Sequence, residues 1–309
     1  YDTVITLANG QEVQLGELID HQIKTSQLVK RLEDGVYVDG DNSIQIISLN
    51  KTTMKSENKA ISKFIRREGD DLYRIKTRSG RELKATKCHP IMCFADSEVK
   101  SKTISELDIG MQIAVPRIIS IENSQEDENF ARLMGYIIGD GYIANDRIEF
   151  VNNDKEVLED YEKLILEYSS WGIRKRLDKN ISRIYCRDKE FYRKIRSLYN
   201  TNSKTITSVE KDIPNYLLGL GNKSISNLLA GLFDTDGSVR KDIGIIEYCT
   251  KNKNLSRQVQ TLLLRFGIIS KIKKRLQHAT NTIEKKKMDY YYLYIYGVEN
   301  LKNFIIIFH

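Results

Sequence analysis

Cysteine, proline and tryptophan are scarce in this sequence: its 309 residues include 4 Cys, 3 Pro and 1 Trp. The cysteines form no Cys-x-x-Cys pair and are too sparse to cross-link so long a chain, so we expect free thiols rather than disulfides or a metal cluster. No apolar run approaches the roughly 20 residues that a membrane span needs, and Tyr1 does not open a signal peptide. We therefore expect a cytoplasmic protein without a membrane segment.

The residues that are present are typical of a folded, soluble protein, since 40% are hydrophobic and 29% are charged. The length suits two domains with separate cores, because typical domains contain roughly 100–200 residues. A net charge of +7 and a pI near 9.0 indicate a polyanionic partner, although a lysine-rich solvated surface would give the same totals. The position of the charge along the chain decides between these interpretations.

The first part of the chain, residues 1–117, shows short alternating segments of the kind that form β-strands. The pairs Asn9-Gly10, Asp34-Gly35 and Ser79-Gly80 separate these segments and are typical of hairpin turns. We therefore predict a mostly β domain. A polar and acidic stretch, IISIENSQEDENF at 118–130, follows it and is predicted to be a linker or the approach to a helix.

The second part, residues 131–309, alternates helical runs with basic strands and repeats itself. LMGYIIGDGYI at 133–143 aligns with LAGLFDTDGSV at 229–239, and each copy is followed by a similar series of strand, helix and strand patterns. We predict an α+β domain made of two αββαββα halves related by a pseudo-two-fold axis, repeat one at 131–211 and repeat two at 212–309.

Each motif carries a glycine inside an apolar helix and an aspartate at its end. We predict that Gly135 and Gly231 let the two motif helices pack closely, which brings Asp140 and Asp236 together. Two adjacent carboxylates at helix C-termini repel each other and need a cation, and oxygen ligands suit a hard ion such as Mg²⁺. The alternative is that these aspartates only cap or solvate the helix ends; two copies in register favour the metal.

These motifs resemble those of the LAGLIDADG homing endonucleases in their single-chain, two-repeat form. The resemblance covers the chain from about Asn129 to its end. It implies a DNA endonuclease, active as a monomer, in which Asp140 and Asp236 bind catalytic metal and each site cuts one strand. Asp234 has no acidic counterpart at Ile138 in repeat one, so we predict no catalytic role for it.

The same family often has a basic residue in a K-x-I-P context before the second motif, and this sequence has KDIP, beginning at Lys211. The resemblance implies that Lys211 is catalytic, orienting the attacking water or neutralising phosphate charge. The alternative is a surface lysine before a proline that starts a helix. The equivalent position of repeat two, near residue 307, has no lysine, which predicts either a missing second basic residue or unequal assistance to the two strands.

The basic charge is concentrated in two strand-rich tracts, 171–196 and 271–287; Tyr185 lies within the first, and Tyr292 and Tyr294 follow the second. A twisted antiparallel sheet can follow the major groove, so we expect these tracts to contact double-stranded DNA through phosphates and base edges. For any one residue the alternative is a solvated basic hairpin. The residues predicted to bind DNA are Arg174, Lys175, Arg176, Arg183, Arg187, Lys271, Lys273, Lys274, Arg275, Lys285, Lys286 and Lys287.

The β-rich part resembles the Hint splicing domain of inteins, a horseshoe-like fold into which such endonucleases are inserted. Three blocks carry the resemblance in order: DTVITLANGQEVQLGELI, GRELKATKCHP and SELDIGMQIAVPR. It implies that His89 polarises or protonates the scissile amide and that Thr86 helps to hold it; the alternative is an ordinary strand end. An intein begins with Cys or Ser and ends with Asn, whereas this sequence begins with Tyr1, so we predict that it cannot splice.

The combined hypothesis is a homing endonuclease embedded in an intein, with Mg²⁺ as cofactor and a long double-stranded DNA site as substrate. The start of the sequence suits an intein in a replication protein. Two alternatives belong to other classes: a regulator or RNA maturase that binds nucleic acid without cutting it, and an intein whose endonuclease has decayed. Retention of both motif aspartates favours the enzyme.

Overall fold

The structure is a computed structural model. It describes residues 1–69, 71–144, 146–178, 181–199, 201, 203, 205–278 and 287–308. The chain divides into two compact units, Tyr1–Ile121 and Glu122–His309. Among the described residues, no helix is long and apolar enough to cross a membrane.

The first unit is built from short antiparallel strands and one helix, as the alternating pattern predicted. Its elements are β1 (Val4–Thr6), β2 (Glu12–Gln14), α1 (Leu15–Thr25), β3 (Lys30–Leu32), β4 (Gly35–Asp39), β5 (Gln45–Leu49), β6 (Ser56–Ala60), β7 (Lys63–Arg67), β8 (Leu72–Lys76), β9 (Glu82–Thr86), β10 (Pro90–Ala95), β11 (Glu98–Thr103) and β12 (Gln112–Ile113). They form the small sheets β1-β2, β3-β4-β7, β5-β6, β8-β9 and β11-β10-β12. A horseshoe arrangement of these sheets stays a prediction.

The predicted turns occur where expected in this unit, with one difference. Gly10 and Gly80 both have φ of 88°, a left-handed conformation that glycine adopts without strain. Gly35 is instead the first residue of β4, where the carbonyl oxygen of Arg66 on β7 leaves no room for a side chain. The buried core is small, since few large apolar side chains are buried; they include Val38, Phe64 and Ile104.

The second unit contains the order αββαββα twice, as the repeat predicted. The first copy is α2 (Glu128–Gly139), β13 (Gly141–Ile143), β14 (Ile148–Asn152), α3 (Lys155–Tyr168), β15 (Ile173–Asp178), β16 (Ile181–Cys186) and α4 (Lys189–Ser197). After the short α5 (Asn215–Leu218), the second copy is α6 (Asn222–Asp236), β17 (Gly237–Arg240), β18 (Ile245–Thr250), α7 (Lys253–Leu263), β19 (Ser270–His278), β20 (Lys287–Ile295) and α8 (Val298–Phe308).

Helix α2 begins earlier than the boundary predicted at residue 131. The side chain of Asp127 accepts a hydrogen bond from the backbone N–H of Phe130 and caps the helix. The end of the stretch predicted as a linker is therefore structured. The acidic residues that suggested a flexible segment act in part as helix caps: Glu126 accepts hydrogen bonds from the backbone and hydroxyl of Ser224 near the start of α6.

Each copy contributes one four-stranded antiparallel sheet, in the orders β13-β14-β16-β15 and β17-β18-β20-β19. The registers match, because Gly141 pairs with Phe150 as Gly237 pairs with Tyr248. These pairs define which positions of the two sheets are equivalent.

Helices cover one face of each sheet. Phe150 stacks on Tyr161 of α3 with ring centroids 4.0 Å apart, and Tyr248 packs on Phe233 of α6 at 5.4 Å. Burial of each such side chain contributes about 1.5–3 kcal/mol. We call this the covered face of the sheet and the opposite one the open face; side chains alternate between them along each strand.

Candidate active site and nucleic-acid interface

The site begins where helices α2 and α6 cross at two glycines. A Cβ atom on Gly135 would lie 3.0 Å from the Cα of Gly231, and one on Gly231 would lie 2.7 Å from the carbonyl oxygen of Arg132. Both distances are to backbone atoms, which cannot move without separating the helices. Only glycine fits at this crossing, so its cost within a helix, about 1 kcal/mol relative to alanine, is offset by close packing.

The crossing brings the two motif aspartates into one electrostatic environment. Asp140 is the residue that ends α2, and Asp236 is the last residue of α6. Burial raises the pKa of both carboxyls, and the negative charge of Asp140 raises the pKa of Asp236 further. Two ionised carboxylates in this position therefore require a neighbouring positive charge.

Lys211 supplies one such charge from a buried position. Its side chain is only 3% exposed, and its ammonium group donates hydrogen bonds to the carbonyl oxygens of Ile137, Gly139 and Gly141 at 3.2, 3.0 and 2.7 Å. Burial lowers the pKa of Lys211, whereas the two aspartates oppose that shift. An ammonium group has three N–H donors, so carbonyls at the end of α2 and the start of β13 engage all of them.

The two aspartates are held differently. Asn152 donates a hydrogen bond from Nδ2 to Oδ2 of Asp140 at 2.8 Å. Thr250 stands at the equivalent position of the other sheet, where its hydroxyl accepts from the backbone N–H of Asn252 at 3.1 Å. Among the described residues no hydrogen bond reaches the Asp236 carboxylate. The duplicated motif is therefore chemically asymmetric.

This donor set fits a hard divalent cation. It consists of carboxylate oxygens, one of them without a hydrogen-bond donor, in surroundings where burial disfavours their charge. In the described part of the chain, no group of three or more His, Cys, Asp or Glu side chains could hold a metal. Mg²⁺ is commonly bound by one or two carboxylates, with water and substrate phosphate completing its coordination.

The open faces of the two sheets carry half of the residues predicted to bind DNA. On the first sheet Arg174 pairs across the strands with Tyr185, and Arg176 pairs with Arg183. On the second, three cations face tyrosines of β20 in the same way; they are Lys271, Lys273 and Arg275, opposite Tyr294, Tyr292 and Tyr290. The interleaved basic and aromatic pattern noted in the sequence thus lies on single faces.

Two of the residues predicted to bind DNA lie on the covered face of their sheet. Lys175 pairs across the strands with the buried Ile184 and forms an ion pair with Glu162 of α3. Lys274 lies 2.7 Å from Asp289 of β20 and also falls on the covered face. Successive strand residues alternate between faces, so both lysines lie on the face opposite to the candidate interface.

Two further predicted residues lie at the ends of strands. Arg187 is exposed immediately after β16, and Lys287 is exposed at the start of β20. Lys285 and Lys286 lie outside the described residues.

A protein-family model described as a LAGLIDADG-like domain matches residues 127–201 and 223–306, together more than half of the chain. The chain belongs to the LAGLIDADG family. Its two matched segments each contain one αββαββα copy, or nearly all of one. The glycine crossing and the paired aspartates described above therefore lie within this LAGLIDADG-like domain.

The chain is also similar to curated proteins over almost its full length. It is 26% identical over 305 residues to the replication factor C small subunit of Methanocaldococcus jannaschii, covering 97% of this chain and 15% of that protein. It is 26% identical over 321 residues to the replicative DNA helicase DnaB of Synechocystis sp., covering 98% and 33%. The chain thus spans a third or less of the length of these relatives.

Solved structures show partial similarity. A variant of the homing endonuclease I-DmoI gives a TM-score of 0.44 at 16% identity, covering 59% of this chain and 94% of that one. The PabCDC21-1 intein gives a TM-score of 0.35 at 25% identity, covering 39% and 72%.

A further feature of the LAGLIDADG-like domain was missed by sequence reasoning. Arg132 of α2 donates from Nη2 to Oδ2 of Asp234 at 2.7 Å and from Nε to Oδ2 of Asp160 at 3.0 Å. The positions that pseudo-symmetry relates to Arg132 and Asp234 are Leu228 and Ile138, which are apolar. Asp234 therefore links the two motif helices on one side only. The only indication of this contact in the sequence is an arginine, Arg132, immediately before the apolar motif at 133–143.

In the first unit, Thr86 and His89 lie in one tight turn. Thr86 ends β9, and the backbone N–H of His89 donates to its carbonyl oxygen at 3.0 Å. The hydroxyl of Thr86 contacts the sulfur of Cys88 at 3.4 Å. The turn holds the two predicted splicing residues near each other in space as well as in sequence.

Proposed function

We propose that this chain is a site-specific DNA endonuclease that cuts both strands of a long double-stranded target with Mg²⁺ as cofactor. The observation that carries the proposal is the glycine crossing of α2 and α6, which places Asp140, Asp236 and the buried cation of Lys211 together. One chain supplies both carboxylates, so we propose that it acts as a monomer.

Each residue of this centre has a distinct role in the proposed reaction. Asp140 and Asp236 hold the metal, and Asn152 fixes the orientation of Asp140 through its hydrogen bond. A bound Mg²⁺ supplies activation of water and stabilisation of phosphate charge. Lys211 offsets the charge of the carboxylates. Because its N–H groups are directed at backbone carbonyls, we propose that it acts through its charge and through holding the end of α2.

The open faces position the DNA. Arg174, Arg176, Lys271, Lys273 and Arg275 contact phosphates and base edges in this proposal, and no ion pair with a carboxylate engages them among the described residues. Arg183 contributes less, since its Nη1 lies 2.6 Å from Oε1 of Glu149. Such phosphate contacts release counterions and make the affinity depend on salt.

The test of the proposed function uses the host DNA that flanks the reading frame of this chain. Joining the two flanks gives the predicted target, and the chain is expected to linearise a plasmid that contains it when Mg²⁺ is present. EDTA should prevent cutting, and a plasmid without the insert should remain intact. Specific binding of the joined DNA without cleavage at any Mg²⁺ concentration would identify a regulator and refute the enzyme.

Adjacent residues of β15 provide a test of the DNA interface. Arg176→Gln should weaken binding and reduce the slope of log affinity against log salt by about 0.9, the loss of one phosphate contact. Lys175→Gln is the matched control, because its side chain lies on the covered face, and it should leave the slope unchanged. Filter binding from 50 to 300 mM KCl measures both. A larger effect of the Lys175 variant would contradict the assignment of faces.

We also propose that the first unit is an intein splicing domain in which His89 and Thr86 act at the scissile amide. The order of the three sequence blocks and the turn that joins these residues support this. A longer gene product that includes both junctions with the host protein should release a ligated host protein, and His89→Ala should leave the amino-terminal junction intact. Normal ligation by that variant would exclude the role of His89.

A further inference from the structure

A cavity of about 360 Å³ opens on the open face of the second sheet. Its polar lining consists of one carboxylate, two phenols and four cations: Glu247, Tyr294, Tyr296, Arg240, Lys271, Lys273 and Arg275. A cavity with acceptor and donor groups on a surface that is otherwise basic is suited to a ligand with both kinds of hydrogen-bonding group.

Tyr294 provides a polar group without a partner in this cavity. Its side chain is only 8% exposed, and its buried hydroxyl has no hydrogen-bond partner in the described part of the chain. Leaving a buried hydroxyl unsatisfied costs about 1–3 kcal/mol, so native structures rarely do so without a reason. The hydroxyl is placed to bond to a ligand or to a side chain that shifts when the ligand binds.

Glu247 differs from its counterpart in repeat one. Oε1 of Glu149 lies 2.6 Å from Nη1 of Arg183, so that carboxylate is already engaged. The position equivalent to Arg183 is Tyr292, whose hydroxyl donates to Gln277 at 2.6 Å instead. Glu247 therefore keeps only a long ion-pair contact, 3.9 Å to Arg240, with no hydrogen bond from any described residue.

Two cations of the cavity, Lys273 and Arg275, lie against aromatic rings. The guanidinium of Arg275 lies 5.0 Å from the ring centroid of Tyr292 and 5.6 Å from that of Tyr294. The ammonium of Lys273 lies 5.9 Å from the ring of Tyr294. Stacking of this kind fixes an arginine while leaving its N–H edge directed outward. The cavity thus offers preorganised donors beside one acceptor.

This arrangement matches the major-groove edge of one base pair. Cytosine presents the N4 amino group, a donor, and its partner guanine presents N7 and O6, two acceptors. Carboxylates accept from cytosine N4, and arginine or lysine donates to guanine N7 and O6. A thymine–adenine pair does not present two adjacent acceptors with a donor beside them.

We propose that Glu247 determines base specificity by accepting a hydrogen bond from cytosine N4, while Lys273 and Arg275 donate to the paired guanine. Glu149 has no such role, because Arg183 engages its carboxylate. The inference rests on the proposed DNA binding and specifies which base pair one part of the protein recognises.

The test selects binding sites from a randomised DNA library with the full chain in Ca²⁺, so that binding is measured separately from cleavage. The unchanged chain should show a position at which cytosine is preferred by about tenfold or more. Glu247→Gln should remove that preference and favour adenine, because glutamine bonds to adenine N6 and N7. Glu149→Gln is the matched control and should leave the base profile unchanged.

The outcomes separate this inference from the proposed function. If the unchanged chain selects no sequence, both fail. If it selects a sequence and Glu247→Gln, with an unchanged melting temperature, gives the same base profile, the inference alone is overturned. A uniform loss of affinity at every position would also overturn it, since that result would show that Glu247 only orients neighbouring cations.

Discussion

Asp236→Asn should abolish double-strand cleavage, lowering the rate at least about 10³-fold, which corresponds to about 4 kcal/mol of transition-state stabilisation. The substitution replaces a carboxylate ligand by a neutral amide, and among the described residues no other acidic side chain completes a cluster with Asp140. DNA affinity should be unchanged or higher, because one negative charge is removed from the site. Cleavage of the joined target in 10 mM Mg²⁺ and binding in Ca²⁺ measure the two effects.

Asp234→Asn is the matched control for this experiment. Asp234 lies on the same helix and is also an aspartate, but its Oδ2 pairs with Arg132 at 2.7 Å. We expect cleavage within a few-fold of the unchanged chain. Normal cutting by the Asp236 variant would contradict the assignment of Asp236 as a metal ligand. Equal loss of activity in a folded Asp234 variant would show that losing any carboxylate at this end of α6 stops cleavage, so the loss in the Asp236 variant would not indicate metal binding.

Gly135→Ala should lower the free energy of unfolding of the second unit by about 3 kcal/mol and abolish cleavage as well. The new methyl group would lie 3.0 Å from the Cα of Gly231 and closer still to the carbonyl oxygen of Leu228. Overpacking against groups that cannot move costs typically 1–3 kcal/mol, and a backbone contact is the least adaptable kind. Relief requires the helices to separate, which also separates Asp140 from Asp236. Urea denaturation followed by circular dichroism gives the first effect.

Ala230→Gly serves as the comparison, one residue from the other glycine of the crossing. It should cost only about 1 kcal/mol, the difference in helix propensity between the two residues, and should retain cleavage. If Gly135→Ala were as stable and as active as the unchanged chain, the close approach of the two helices would not be required for the site.

The sequence allows the duplicated helices and strands and the paired aspartates to be predicted, because a repeated motif restricts where equivalent residues can lie. The alternation along Arg174, Lys175 and Arg176 also contained the information that the middle residue faces the other way. The number of basic residues in each tract does not show which face of the sheet each of them occupies. The sequence left 118–130 open between a linker and the approach to a helix, because acidic residues that cap helices have the composition of a linker.

Other parts of the site have no local signal in the sequence. The contacts of Lys211 with carbonyls of α2 and β13 join residues far apart in the chain, so only the folded structure shows that its N–H groups are engaged. The same holds for Arg132 and Asp234. The difference between Glu149 and Glu247 depends on which residue stands opposite on the neighbouring strand, and this requires the register.

The link between Arg132 and Asp234 makes the two halves of the domain non-equivalent. Two identical copies of repeat one would place Arg132 opposite Ile138, and two copies of repeat two would place Asp234 opposite Leu228, so neither half retains a complementary surface for itself. A dimer of identical halves reads a palindrome, because the symmetry of a DNA site mirrors that of its protein. The two halves of this chain are not interchangeable in this way, so the DNA target proposed for it is expected to be asymmetric rather than palindromic.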